Sequence, residues 1–474
     1  MSHSPLLGLV VNPDSDLPIY EQVYNSLRSR MIDGRLLSGD CLPPTRKLAE
    51  ELGVSRTTIV MAYNQLVAEG FANSRRGSGV YVSDIGTIEG IQVPEIRQTT
   101  SNGVTTNDSQ KPFTPGIPDS RLFPYRQWAK CIARVARSNP EALVQMDDKF
   151  GDWQLRSQIC RYLAEWRGVH ASPEQVLITA GAIDALEICV RTLTEAGDIL
   201  ALEDPGYLPL REFVTALGIP AANLEMDQQG GIPPEQVRGT SNPKLVVLTP
   251  SSQFPLGGAM PQARRNAFLE WAALSNSWII EDDYDSEFRY SGRPIPAMAG
   301  LDKFERTLYV GSFSKVFYNN LRMGFVVMPP SLIEKFSDTP HRFGSKASVM
   351  PQRPLAEFIE QGDYYRHIRR VRRIYADRRR AFLELLQTHL GTLVTFEDHR
   401  AGMQIAIRLP YSLKDTVISK EASKTGIHCP ALSTYYSTLP PQNGLLMGFC
   451  GYTFQEMDNA MEKLKKIIQS EQDK

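Results

Sequence analysis

The chain has 474 residues, too many for one ordinary hydrophobic core, so two or three domains are expected. Apolar residues make up 42% and charged residues 22%, the balance of a soluble globular protein, and the formal net charge is −1, so any nucleic-acid site has to be a local basic patch. The six cysteines (Cys41, Cys131, Cys160, Cys189, Cys429, Cys450) form no C-x-x-C pair, which speaks against zinc ligation or a disulfide framework and for a reducing, cytoplasmic setting.

The first residues, Met-Ser-His-Ser-Pro-Leu-Leu-Gly, lack the basic start and long apolar core of a secretory signal. No apolar run approaches the ~20 residues of a membrane span. Ile19, Val23, Leu27 and Met31 recur at helical spacing, and Gly34 stops that helix. A second helix enters through Pro43 and Pro44 and ends at Gly53, and Ser55 can cap a third that runs from 56 to 69. Helix, short glycine turn, helix is the arrangement that sets a helix in the major groove. Ser55, Arg56, Thr57 and Thr58 stand at the N-terminus of that helix, where side chains and free N–H groups meet phosphates and base edges. Arg75, Arg76, Gly77, Ser78 and Gly79 form a basic turn between two strand-like pieces, a wing whose glycines allow close approach to a groove. A small helical domain with solvated arginines would show the same spacings. Residues 84–111, rich in Thr, Ser, Asn, Gly and Gln, read as a linker between a head at 13–83 and a body at 112–474.

In the body, short apolar runs at 175–179, 198–203, 244–249, 277–282 and 307–312 alternate with helical patterns. That predicts an α/β domain on a mostly parallel sheet. From about 365 a long helix, two strands and a charged helix predict a smaller α+β lobe. Residues 310–324 carry the densest chemistry: Ser312-Phe-Ser-Lys315 precedes Arg322 by seven residues. A lysine there suits an amine that forms a Schiff base with an aldehyde cofactor while its neighbours hold a phosphate. A solvated lysine is the ordinary alternative. Gly181 and Ala182 follow a strand and open a helix, where backbone N–H groups can cradle a phosphate. Asp282 ends a strand, where a carboxylate can keep a ring nitrogen protonated. Asp283 and Asp285 are expected to be solvated or structural.

The head resembles the GntR family of bacterial regulators. The matching residues are Pro18 and Gln22, Leu42-Pro-Pro-Thr-Arg46, the run 48–58 (Leu-Ala-x-x-Leu-Gly-Val-Ser-Arg-Thr-Thr), Leu66-x-x-Glu-Gly70, and the pattern from Arg75 to Val82. The resemblance implies DNA contacts from Arg46, Arg56, Thr58 and Arg76, and leaves open which of them reads a base. The body is similar to fold-type I aminotransferases, and the whole chain to the MocR subfamily of GntR regulators. That resemblance implies a winged helix-turn-helix head and a PLP-dependent aminotransferase-like body with a small C-terminal lobe. It further implies pyridoxal 5'-phosphate on Lys315, Tyr207 stacked on its ring, and Gln253 and Tyr284 near its hydroxyl. Ser312 and Arg322 would hold the phosphate, for which a bidentate guanidinium is suited.

Three positions depart from the pattern. Leu446 stands where relatives carry an arginine for a substrate α-carboxylate, residues 146–151 lack the tyrosine that reaches a partner subunit, and Asn319 replaces a proline. The expected function is therefore a DNA-binding regulator that senses a small amine, an amino-acid-like effector or the cofactor itself by aldimine exchange at Lys315. The alternative is a working aminotransferase with an accessory DNA domain. A cytoplasmic homodimer on paired half-sites of double-stranded DNA, with no membrane partner and no metal, completes the expectation. The arginine-rich stretch 366–380 reads as a solvated or interdomain face, or else as a second DNA-facing or head-docking surface.

Overall fold

The computed structural model describes residues 9–13, 15, 17–75, 78–84, 111–145, 148–234, 242–292, 294–317, 321–344 and 346–473. Arg76, Gly77, Met146, Asn319 and all of the expected linker but its two end residues lie outside them. The chain divides into two compact units, residues 1–104 and 105–474.

In the first unit, helix α1 (Ile19–Ile32) buries Val23, Leu27 and Met31, the stripe its spacing predicts. Helix α2 (Thr45–Leu52) begins directly after Pro43 and Pro44, and Pro44 holds an extended entry. It ends at Gly53, whose φ of 63° gives the left-handed turn glycine adopts without penalty. Helix α3 (Arg56–Ala68) is capped by Ser55, whose side chain accepts the Thr58 N–H. Strands β1 (Ala72–Arg75) and β2 (Gly79–Val82) pair antiparallel. Val23, Leu27, Leu48, Ile59 and Leu66 meet in one core under this wing, the plan of a winged helix.

The second unit begins with α4 (Tyr125–Ser138) and α5 (Trp153–Arg167). There follow β3 (Val176–Thr179), α6 (Ala182–Leu193), β4 (Leu200–Leu202), α7 (Leu208–Ala216), β5 (Ala221–Asn223) and a small ribbon, β6 (Met226–Asp227) and β7 (Gly230–Gly231). Next come β8 (Leu245–Leu248), α8 (Gln262–Ser275), β9 (Trp278–Asp283), α9 (Met298–Leu301), β10 (Thr307–Ser312), β11 (Gly324–Val327), α10 (Ile333–Phe343) and α11 (Gln352–Glu360). The last elements are α12 (Asp363–Leu390), β12 (Thr395–Phe396), β13 (Gln404–Arg408), α13 (Asp415–Lys424), β14 (Gly444–Gly448) and α14 (Phe454–Gln472).

Seven strands form the main sheet in the order β3-β11-β10-β9-β8-β4-β5. All run parallel except β11, which pairs antiparallel with both neighbours. Strands β3, β4, β8, β10 and β11 are buried along nearly their whole length, as strands covered by helices on each face must be. The smaller sheet β12-β13-β14 packs with α12, α13 and α14. The important consequence is positional. Asp282 and Ser312 lie at the carboxyl ends of parallel strands, Gly181, Tyr207, Gln253, Tyr284 and Lys315 follow such ends, and Arg322 precedes the one antiparallel strand. One edge of the sheet therefore collects them, which is where open α/β sheets bind ligands.

Candidate functional site

At that edge Lys315 is half-buried, and its Nζ donates to the Gly116 carbonyl at 2.8 Å. Gly116 holds φ 64°, which favours glycine, and a Cβ there would stand 2.8 Å from Nζ and 3.5 Å from Gln404 Oε1. Burial pushes the Lys315 ammonium below its usual range, and the carboxylates of Asp285 and Asp282 oppose that shift. An amine so placed holds its proton less tightly, which favours its use as a nucleophile.

Asp282, 7% exposed on β9, has no hydrogen-bond partner for Oδ1. Burial, then the neighbouring Asp283, pushes its carboxyl up to about 7, and Lys315 pulls it down. A buried acid left in this state is built to meet a cation or a proton-bearing nitrogen. Tyr207 and Tyr284 both meet the Phe254 ring edge-on at 5.8 Å, and Tyr435 meets it at 5.5 Å, which gives the pocket an aromatic wall. The Tyr284 hydroxyl lies 3.3 Å from Ser252 Oγ.

Gly181 caps α6 with φ 106° and ψ 179°, a conformation open almost only to glycine, and no side chain caps that helix end. A Cβ on Gly181 would meet nothing within 4 Å, so the space in front of the first N–H groups of α6 is open. From behind, Gly324 presses on Gly181 so closely that a Cβ would stand 2.7 Å from its carbonyl carbon. Ser312 pairs with Gly324, and Phe313 N–H donates to Met323 O at 3.0 Å, which brings Arg322 back beside Ser312. Arg322 is exposed and holds φ 46°, a left-handed conformation that non-glycine residues adopt mainly at functional sites. Glycine N–H groups, a serine and an unburied guanidinium are the donor set of an anion cradle.

The structure specifies the surroundings of Gln253, Asp283, Asp285 and Leu446. Gln253 is committed to its own loop: its amide donates to Pro205 O and Phe254 O, and its oxygen accepts the Leu256 N–H. Its part is to hold the loop that carries Phe254. Asp283 and Asp285 are not solvated, at 4% and 3% exposure. Asp283 pairs with Arg167 at 2.8 Å and accepts from Tyr309 and Ser286. Asp285 Oδ2 has no partner. Leu446 is fully buried on β14 opposite Ala406, so that position offers no cation for a carboxylate.

Spacing did not reveal Gly116, Gln404 or Glu203. Glu203 is a buried acid with Oε1 unpartnered, pushed up to about 7 by burial. It lines a cavity of about 780 Å³ together with Gln253, His399, Ala406, Arg408 and Gln442. Alternation along β13 puts Ala406 on the face of Gln404, so the cavity opens about 7 Å along the strand from Lys315's neighbour.

Three arginines of the stretch on α12 serve the body. Arg372 donates to Glu287 O, Arg378 pairs with Asp119 at 2.6 Å, and Arg379 pairs with Asp398. Arg369, Arg370 and Arg373 are exposed, as a solvated face requires.

In the head, Arg46, Ser55, Arg56 and Thr57 are exposed and Thr58 is half-buried. Ser55 Oγ lies 2.8 Å from Thr58 Oγ1, so those two hydroxyls lock the start of α3, and Arg56 Nε reaches Thr45 Oγ1 at 3.4 Å. In the wing, the Arg75 guanidinium stacks 4.7 Å over Tyr81. Gly79 holds φ 121°, with Cys41 Sγ 3.3 Å from where a Cβ would be.

Residues 19–82 match the family described as bacterial regulatory proteins, gntR family. The chain is 36% identical to the probable rhizopine catabolism regulatory protein MocR of Rhizobium meliloti, over 97% of this chain and 96% of that one. It is 31% identical to the pyridoxine biosynthesis transcriptional regulator PdxR of Corynebacterium glutamicum, over 94% of each. The body's fold matches two solved enzymes, each 23% identical to this chain. One is an archaeal alanine:glyoxylate aminotransferase, at TM-score 0.69 over 76% of this chain and 91% of that one. The other is a Pyrococcus horikoshii kynurenine aminotransferase, solved with PMP, at TM-score 0.70 over 81% and 97%. A GntR-type winged helix joined to an aminotransferase-like body defines a transcriptional regulator. More narrowly, the chain belongs to the MocR subfamily of GntR-family regulators.

Proposed function

We propose that the body holds pyridoxal 5'-phosphate at Lys315 and that exchange of Lys315 for an amine on that cofactor sets the DNA affinity of the head. The observation that carries the reading is Asp282, a buried carboxylate with an unpartnered oxygen at the same sheet edge as the half-buried Lys315. The donor set fits the group. Asp282 would face the ring nitrogen, Tyr207 the ring, and Tyr284 the ring hydroxyl. The N–H groups of Gly181 and Ala182, Ser312 and Arg322 would hold the phosphate. When bound, pyridoxal phosphate supplies an aldehyde that condenses with primary amines and a ring that draws electrons.

This chain's own residues do the rest. Burial keeps the Lys315 amine reactive, Asp282 keeps a proton on the ring nitrogen, and the aromatic wall excludes water. Leu446 offers no charge to an α-carboxylate, which supports signalling by amine exchange over sustained transamination. The effector is a small amine or amino-acid-like molecule, seated in the cavity beside Ala406, or pyridoxal phosphate itself, as the name of the Corynebacterium relative suggests. In a cytoplasmic homodimer, paired heads would read paired half-sites, and a two-state body would pass the change to them.

The test is spectroscopic. Protein mixed with pyridoxal phosphate should show a visible band that Lys315→Ala lacks. A Lys315→Ala protein that keeps the band contradicts the assignment.

A further inference from the structure

Cofactor binding leaves one buried acid at the sheet edge without a task. Glu203 stands at the carboxyl end of β4 and is 5% exposed. Its Oε2 accepts from the Thr249 hydroxyl and from the Thr249 N–H at 3.3 Å, whereas its Oε1 has no hydrogen-bond partner. The adjacent Asp204 shows how this edge satisfies a structural acid. It is fully buried, and its two oxygens accept the N–H groups of Ser437, Thr438 and Leu439 at 2.8, 2.7 and 3.1 Å. Glu203 is left half-filled, and a carboxylate at that depth is costly unless a cation meets it.

The vacancy lies on the cavity of about 780 Å³. The ribbon β6–β7 and the loop 256–260 bound that cavity on the side of the main sheet, and β13 and the turn before β14 bound it on the side of the small lobe. One face of β13 joins it to Lys315: Ala406 lines the cavity, and Gln404, on the same face, approaches Gly116 together with Lys315 Nζ. The other charges of the lining are taken. Asp227 pairs with Arg264 at 2.6 Å, and Arg408 pairs with Glu397 at 2.6 Å. His399 lies 3.7 Å from Glu397, and burial weakens its hold on a proton. Gln442 Oε1 is a second buried acceptor without a donor. Among the described residues, the lining thus offers vacant acceptors on two sides and no unpaired cation for a carboxylate.

We propose that the effector is a diamine, one nitrogen of which replaces Lys315 on the cofactor while the second, as an ammonium, is held by Glu203 Oε1 in the cavity. The proposal rests on amine exchange at Lys315. In that exchange the effector nitrogen forms the carbon–nitrogen double bond that the lysine gives up, and its two N–H protons pass to the lysine nitrogen, with no oxidation or reduction. The second ammonium supplies the charge that Glu203 lacks, and ammonium on carboxylate is a charge-assisted contact. A diamine carries no carboxylate, so it has no need of a cation at Leu446 or of Arg408, which Glu397 already occupies.

Two measurements read the second ammonium. Cofactor-free protein is titrated with putrescine, cadaverine and diaminohexane by calorimetry. The tightest of them should bind Glu203→Gln at least about tenfold more weakly than wild type. Glutamine keeps the side chain's shape and an acceptor for Thr249, and thermal unfolding confirms that the variant is folded. In wild-type protein loaded with pyridoxal phosphate, each diamine is then compared with the alkyl monoamine and the ω-amino acid of the same length, by the concentration that half-shifts the visible band. The best diamine should act at a concentration at least about tenfold below that of its monoamine, and the ω-amino acid, with a carboxylate facing Glu203, should need more than either. Diamines that bind wild type and Glu203→Gln alike, or that match their monoamines on loaded wild-type protein, overturn the proposal. A band that no amine of any class shifts overturns amine exchange at Lys315 instead, whatever the calorimetry shows.

Discussion

Replacing Asp282 with asparagine keeps the side chain's shape and removes its charge. In the cofactor-free protein, folding raises this acid from 3.8 to about 7. Because its folded pKa is raised, the native state holds the proton more tightly than the unfolded chain. The penalty for burying the ionised form is absent below the unfolded value, grows as pH rises, and is complete above the folded one. Three pH units at about 1.4 kcal/mol each set that penalty near 4 kcal/mol. Between about pH 5 and about pH 8, wild type should lose about 2.5 kcal/mol that Asp282→Asn does not lose. Glu287 contributes equally to both proteins and drops out of the difference, whereas Glu203, raised in small part by Asp282, adds to it in the same direction. All five tryptophans, Trp128, Trp153, Trp166, Trp271 and Trp278, lie in the body, so urea unfolding followed by tryptophan fluorescence reports that unit. The variant should therefore be the more stable protein at alkaline pH without cofactor, yet bind pyridoxal phosphate more weakly, since asparagine cannot hold a proton on the ring nitrogen. Parallel pH dependences in the two proteins would refute the reasoning.

Arg167→Met leaves Asp283 buried without its cation, and should lower body stability by about 3–5 kcal/mol in the same unfolding assay. Gly181→Ala puts a side chain at φ 106° in open space, so it should cost about 1–3 kcal/mol through backbone strain and weaken pyridoxal phosphate binding, read by titration of the visible band. Ser55→Ala removes the cap of α3 and should cost the head about 1 kcal/mol, measurable by thermal unfolding of the full chain followed at head resonances. Arg56→Ala should weaken DNA binding and reduce the slope of log affinity against log salt by about one, whereas charge reversal at Arg369 and Arg373 should leave that slope unchanged.

Elements were legible where local signals agree. The stripe from Val23 to Met31, the glycine at 53 and the serine at 55 define the head's helices almost to the residue. The apolar runs of the body locate its strands because parallel strands are covered on both faces. The motif residues were legible for a related reason, since they sit in the polar turns that end those strands. What the sequence could not display is pairing between distant segments. Arg167 lies 116 residues before Asp283, and Gly116 lies 199 before Lys315, so neither partner leaves a periodic trace near the other. That is why Asp283 and Asp285 read only as solvated or structural, when both are buried, Asp283 on Arg167 and Asp285 with Oδ2 unpartnered. Gln253 misled for the opposite reason: its residue type fits a cofactor contact, but its amide is used by the backbone of its own loop.

The most direct measurement follows two signals in one sample. Pyridoxal phosphate and then a panel of primary amines are titrated into the purified protein, while visible absorption and affinity for the DNA upstream of its own gene are recorded together. The account predicts that DNA affinity moves in step with the absorption change in wild type and stays fixed in Lys315→Ala. An absorption change in wild type that leaves DNA affinity untouched across the whole panel would contradict it.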